Sequence, residues 1–227
     1  MTTASHVPSS HVPSTERGAG LSRGTKRLAA IIVAVLVLAG LVLGTKVVSN
    51  DSPVTQGKAK YDPKADAAEK FPQVQAFILE NAVDGKQLAQ AIAADPAEAA
   101  SKYGQTGAGT PVYSVKFTGK VGKGTSGIYN VDVAGIPSGI TVRVQTGPAI
   151  IGTDLRDATG TIPFSDFANQ IDYQNAASAL NDVLKQNVLS SIDPKDLKAG
   201  QTITVTGAFT AVNPKAWLVT PVEVKAS

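Results

Sequence analysis

The hydrophobic pattern divides the chain into three regimes. Leu28–Gly44 reads LAAIIVAVLVLAGLVLG, seventeen residues with no charge and no polar side chain. Continued through Val48 it reaches about 21 residues, enough for a helix to cross ~30 Å of hydrocarbon, with Lys46 able to reach the interface. From Pro63 to Tyr103 the apolar positions fall at helical spacing, with Ala65, Ala68, Phe71, Val74 and Ile78 as a stripe. Pro72 must start a helix or kink it. Asp84 reads as an N-cap, and Asp95-Pro96-Ala97-Glu98 as a sharp helix start stopped by Gly104. From Thr110 the period changes to two. Tyr113, Val115 and Phe117 mark a first strand, and the glycines of 119–127 read as a turn. Ile128–Val133 and Ile140–Val144 are the second and third strands, followed by a bulge or bend at Gly147-Pro148. Phe164–Ser191 is the longest helical stretch, with Ala176, Leu180, Val183, Leu184 and Ile192 on one face. Asp193-Pro194 opens a short turn ending at Gly200. Thr202–Ala211 and Trp217–Lys225 alternate again, joined at Asn213-Pro214.

Three strands, a helix, then two strands is the connectivity of a five-stranded OB-like β-barrel with its helix between strands 3 and 4. The expected class is α+β: an N-terminal transmembrane helix, a small helical segment, then the barrel. The expected boundaries are 1–27 tail, 28–48 anchor, 49–60 polar linker and 61–227 extracytoplasmic domain, with 61–104 helical and 110–227 barrel.

Charge gives the anchor a direction. Arg17, Arg23, Lys26 and Arg27 precede it, so the tail is expected in the cytoplasm and the domain outside the cell membrane. A signal peptide cleaved near Val37-Leu38-Ala39 is the competing reading; the apolar run continuing past Ala39 speaks for a retained single-pass anchor. The tail is rich in Ser, Thr, Pro and Gly and repeats HVPS at 6–9 and 11–14, a composition expected to stay disordered. Without the tail the net charge of +3 is close to neutral, and no basic stripe interleaves with aromatics, so no nucleic-acid partner is expected.

Composition also removes chemistries. The chain has no cysteine, and its histidines are His6 and His11. Disulfides, thiolate metal sites, a lipidated cysteine and a Ser-His-Asp triad in the folded domain are thereby excluded. The glycine run lacks Gly-Lys-Ser/Thr and lies between strands, so it is no phosphate loop. No catalytic residue, metal or cofactor is expected.

The densest polar cluster lies after the third strand. Thr153, Asp154, Arg156 and Asp157 are followed by Asp166, Asn169, Gln170, Asp172 and Tyr173. Connections of roughly twenty residues, as in 147–173, are usually functional or disordered. Ile150, Ile151, Leu155, Ile162, Phe164 and Phe167 give this one apolar anchors. The candidate contact residues are Thr153, Asp154, Arg156, Asp157, Asn169, Gln170 and Tyr173, with Arg156 and Asp157 expected to face a ligand or partner. Asp and Arg there suit sugar hydroxyls. The alternatives are a structural ion pair with helix-capping Asn169 and Asp172, or a carboxylate-dependent hydrolase built on Asp154, Asp157 and Asp166 with an oxygen-bound divalent cation. Trp217, Tyr113, Tyr129 and Phe117 either stack on a ligand or pack.

The stretches GPAIIGTDLRD (147–157), FSDFANQIDY (164–173), NAVD (81–84) with LAQAIAADPAEAASKYG (88–104), GAF (207–209) and LVTP (218–221) together resemble the predicted periplasmic lipoproteins of domain-of-unknown-function family 2291. The likeness covers roughly 45–225. Members resemble one another in a lipoprotein signal ending Gly-Cys-Lys-Val-Val; here Gly44-Thr45-Lys46-Val47-Val48 stands at that place, with Thr45 for the lipidated cysteine. The resemblance implies a setting beside sugar ABC transporters and no particular activity. The expected function is a membrane-anchored, non-catalytic binding or accessory module of such an uptake system, with transporter components or a sugar as partners.

Overall fold

A computed structural model describes residues 61–106, 109–192 and 197–226, together with isolated helical positions between 24 and 40. The tail and linker expected at 1–27 and 49–60 lie outside the described residues apart from Gly24, as does the turn at Asp193-Pro194. Most of the expected span Leu28–Val48 does too; its described side chains, Ile31, Ile32, Val35, Leu36 and Val37 among them, are exposed. Among the described residues no helix is long and apolar enough to cross a membrane.

Helix α1 (Pro63–Glu80) begins where the Asp62 side chain accepts from Lys64 N at 3.0 Å and Ala65 N at 3.2 Å. It runs through Pro72 as one helix and buries Ala67, Phe71, Val74 and Ile78. The expected stripe was one residue out of phase at its start, because Ala65 and Ala68 are exposed. Helices α2 (Gly85–Ala94) and α3 (Pro96–Tyr103) start at the expected caps, Asp84 and Asp95, whose carboxylates occupy otherwise unpaired backbone N–H groups.

Among the described residues the sheet has seven strands. Five are long: β3 (Val112–Thr125), β4 (Ile128–Asp132), β5 (Thr141–Gln145), β6 (Thr202–Thr210) and β7 (Ala216–Ala226). Their pairings run β3–β4–β5–β7–β6 and return through β6–β3, antiparallel throughout except β5–β7. The other two, β1 (Val83–Asp84) and β2 (Gly104–Gln105), are two-residue attachments to β3 at the helix boundaries.

The glycine run is corrected. Residues 119–125 continue β3, and only Ser126–Gly127 turn. A Cβ on Gly119 would stand 2.5 Å from Asp132 O, and one on Gly124 would enter the Tyr129 ring. Glycine there admits the neighbouring strand at close range, and the register shifts between Val121 and Gly124.

Two apolar clusters form the core. Inside the ring of strands, Tyr113, Val115, Phe117, Val205, Phe209, Trp217 and Val219 meet Leu88, Ala89 and Ile92 of α2. Phe209 stacks on Trp217 with centroids 4.6 Å apart. Trp217, Tyr113 and Phe117 are buried and therefore pack; Tyr129 is half-buried over Gly124. Outside the ring, Val112, Ala208 and Val222 face the buried stripe of α1 together with Leu155, Ala176, Leu180 and Leu184. Helix α4 (Asp154–Asp157) and helix α5 (Gln170–Asn187) carry those last residues, so the helix between strands β5 and β6 stands as expected. Both clusters, formed by described residues, fall within the compact unit Lys58–Ser227, which therefore has a core of its own.

Candidate functional site

The segment after β5 is built from its first residue inward. Gln145 is fully buried, and its amide clamps Ile151, accepting from Ile151 N at 3.0 Å and donating to Ile151 O at 2.9 Å. The same amide donates to Thr220 Oγ1 at 2.6 Å, and Thr220 Oγ1 donates to Asp154 Oδ2 at 2.7 Å. Thr210 adds its backbone N at 2.9 Å and its hydroxyl at 2.6 Å to Asp154 Oδ1. Asp154 is thus a buried carboxyl with three donors that ties one helical turn to β6 and β7. Burial raises its pKa, and the bonds from Thr210 and Thr220 only partly offset that.

Two residues on, Arg156 and Asp157 are 5% and 9% exposed. Arg156 Nε donates to Asp157 Oδ1 at 2.7 Å and Nη2 to Oδ2 at 3.0 Å, the two-pronged geometry that only guanidinium offers. Arg156 Nη1 reaches Tyr173 O at 3.1 Å, and its guanidinium carbon lies 3.5 Å from the Tyr173 ring centroid. Thr153 Oγ1 donates to Asp157 Oδ2 at 2.6 Å. The Tyr173 phenol is raised, first by burial and then by the Asp157 charge. Tyr173 also meets Phe164 and Phe167, and Phe167 meets Tyr61.

Of the seven candidate residues, the structure brings Thr153, Arg156, Asp157 and Tyr173 into one network and gives Asp154 to a second. Arg156 and Asp157, expected to face a ligand or partner, are instead buried and paired with each other: Leu155 and Ala158 draw their turn into the second core cluster. Asn169 caps α5, accepting from Asp172 N at 2.9 Å, and remains exposed beside exposed Gln170. Among the described residues no buried side-chain nitrogen or oxygen lacks a partner, and no group of three or more His, Cys, Asp and Glu can hold a metal ion.

Two surfaces escaped the sequence. On β4 and β5, Asn130, Asp132 and Thr141 are exposed and Arg143 is half-buried, with Asn130 opposite Arg143 and Asp132 opposite Lys120 of β3. The alternation of Val131, Val142 and Val144 with these polar residues was the available signal. At the end of the ring where α2 packs, a cleft of about 310 Å³ opens between the β4–β5 and β6–β7 connections. Asn213-Pro214 was read as a strand connection, but nothing in the sequence placed it beside Pro137 and Gly139.

A family model described as predicted periplasmic lipoprotein (DUF2291) matches residues 31–225. Among solved structures, an OB-fold protein from Thermotoga maritima is similar, with a TM-score of 0.59 at 18% identity, covering 74% of this chain and 99% of that one. At that identity the likeness speaks for the fold alone. No curated protein matches the chain.

Proposed function

The chain belongs to the family of predicted periplasmic lipoproteins, and on that premise we propose that it is a non-catalytic binding module held at the outer face of the cell membrane, serving a sugar ABC uptake system. Leu28–Val48 supplies the anchor, taking over from the lipid that Thr45 cannot carry, with residues 1–27 inside. The cycle of five strand pairings supports a closed OB-like barrel as the working part.

The observation that carries this reading is the polar outer face of β4 and β5. These are the second and third long strands, the face on which OB-folds take oligosaccharides and oligonucleotides. Asn130, Asp132, Thr141 and Arg143 offer it donors and acceptors suited to hydroxyls. Its charges are mixed, which suits a neutral sugar better than a polyphosphate. The hydrolase alternative is supported less well. A catalytic carboxylate must reach substrate; of its three carboxylates Asp154 is enclosed by Thr210 and Thr220 and Asp157 by Arg156 and Thr153, and Asp166 is exposed.

The test is thermal melting of residues 58–227 with a panel of mono- and oligosaccharides. A ligand at about 100 times its Kd stabilises the native state by ~2.7 kcal/mol, several degrees for a domain of this size. The expected result is a sugar-dependent rise that Asn130→Ala and Arg143→Ala both remove. A panel without any shift, or product release with Ca²⁺ or Mg²⁺ present, overturns the reading. Protease added to intact spheroplasts tests the anchoring: the domain should be degraded and the tail spared.

A further inference from the structure

The cleft at the helix-capped end of the ring is a preformed apolar site with one lysine, Lys215, among its lining residues. We infer that it binds a small apolar anion, of which a medium-chain carboxylate is the type, independently of the strand face proposed above.

Its walls come from three elements: Ile92 and Ala93 from α2, Pro137 and Ile140 from the β4–β5 connection, and Pro214 from the β6–β7 connection. All present carbon. At about 310 Å³ the cleft stands at the lower end of the range for small-molecule sites, roughly 300–1,000 Å³. Both loop walls are held before any ligand arrives. Ile140 N donates to Pro137 O at 2.9 Å, and Ile136 N to Val133 O at 3.2 Å. Across the cleft, Lys215 N donates to Asn213 Oδ1 at 2.9 Å, and Trp217 Nε1 to Pro214 O at 3.0 Å. Thr141 N donates to Lys215 O at 2.8 Å, which ties one wall to the other. A site whose walls are already ordered spends little binding energy on ordering them.

The charge selects the ligand. Lys215 lines the cleft, is exposed, and forms no ion pair among the described residues. Asp95, the nearest acid in the chain to Ala93, spends its carboxylate on Ala97 N and Glu98 N of α3. An apolar body with an anionic end therefore satisfies both parts of the cleft, and an ammonium end would meet Lys215 as a like charge.

The chain carries its own reporter. Trp217 is its one tryptophan, and the indole N–H bonds the carbonyl of a cleft residue. Residues 58–227 are titrated with butanoate, hexanoate and octanoate, with hexan-1-ol and hexylammonium alongside, while Trp217 emission is followed. The expected response saturates, tightens roughly fourfold for each added methylene until the cleft is full, and ranks hexanoate above hexanol above hexylammonium. Lys215→Gln should weaken hexanoate about two- to fivefold and leave hexanol unchanged. Gly139→Leu should abolish binding. A Cβ there meets no atom within 4 Å, so the new side chain grows into open space. Ala93→Phe, on an exposed helical position, fills the same space from the opposite wall and serves should Gly139→Leu melt early. No saturable response, equal binding of hexylammonium and hexanoate, or binding that survives both blocking variants overturns the inference.

Discussion

Two irregular regions of this domain have opposite characters. Residues 146–169 carry four charged side chains, yet three of them, Asp154, Arg156 and Asp157, are buried. The connections at 133–140 and 211–215 are shorter and plainer, and they leave an open cleft lined by carbon. The difference follows from the cost of burying charge. A buried carboxylate or guanidinium persists only with its bonding capacity filled, so a dense polar cluster inside a core is one that has already found its partners. Contact capacity lies where side chains are left unsatisfied: the outward polar residues of β4 and β5, and an apolar cleft with a lone lysine. Polarity in a sequence marks bonds to be made, and the fold decides whether the chain itself makes them.

Breaking the buried pair should have the largest effect. Arg156→Ala leaves Asp157 charged and enclosed, with Thr153 and Tyr173 as its remaining donors. Removing one partner of such a pair costs about 3–5 kcal/mol. For a domain of this size that lowers the melting midpoint by roughly ten degrees. Arg156→Lys should recover only part of the loss, since an ammonium cannot reproduce both bonds to Asp157 and the stacking on Tyr173. A midpoint within a degree of the parent would return the segment to the surface and erase the contrast.

Asp154 should come next, with a signature in pH. Asp154→Asn keeps one acceptor for the three donors of Thr210 and Thr220 and costs about 1–3 kcal/mol. Because burial raises the Asp154 pKa, the folded state holds the proton more tightly than the unfolded chain. Its contribution is therefore fully present below the unfolded carboxyl value of about 4 and is lost as pH rises through the higher folded value. Asparagine does not titrate. Urea denaturation should show a larger deficit for Asp154→Asn at pH 4 than at pH 7; a larger deficit at pH 7 would mean that the bonded carboxylate, and not its burial, dominates.

The same contrast explains what the sequence made legible. A strand with strict alternation, such as Tyr113–Phe117, and caps with local chemistry, such as Asp84 and Asp95, were readable because their causes lie within a few residues. So was the helix between β5 and β6. The glycines of β3 misled because glycine signals a turn locally, whereas here the closeness of Asp132 and Tyr129 requires it. The polar cluster was found as a set but not in its orientation. What turns Arg156 inward is Leu155 and Ala158 entering a core cluster that they share with residues of α1, more than seventy residues earlier in the chain. The cleft was beyond reach for the same reason: Ile92, Pro137 and Pro214 meet only once the ring of strands closes.

Where the polar segment reaches the surface again, the effect should shrink. Asn169→Ala removes the side chain that accepts from Asp172 N and leaves the first turn of α5 uncapped. The loss of a cap costs about 1 kcal/mol, a fall of two to four degrees. Asn169→Asp should recover only part of the loss, since a carboxylate accepts the same bond and suits the helix N-terminus but replaces the amide that donates to Asp172 Oδ2 at 3.0 Å with a like charge. A fall as large as that of Arg156→Ala would show Asn169 to be part of the buried network.

The smallest effect belongs to the cleft, and its smallness sharpens the comparison. Gly139 lies outside the left-handed backbone region, and a Cβ on it touches nothing within 4 Å. Gly139→Leu therefore introduces no backbone strain and no clash. Restricting the unfolded chain at a former glycine stabilises by about 0.4–1 kcal/mol where the native conformation permits it. The melting midpoint of residues 58–227 should stay level or rise by one to three degrees. Lys215→Gln should leave it within a degree, because an exposed lysine without an ion pair contributes nothing measurable to the fold. A drop of several degrees in either variant would mean that the loops close over this space in solution, and that both regions, the buried charges and the apolar loops alike, serve packing alone.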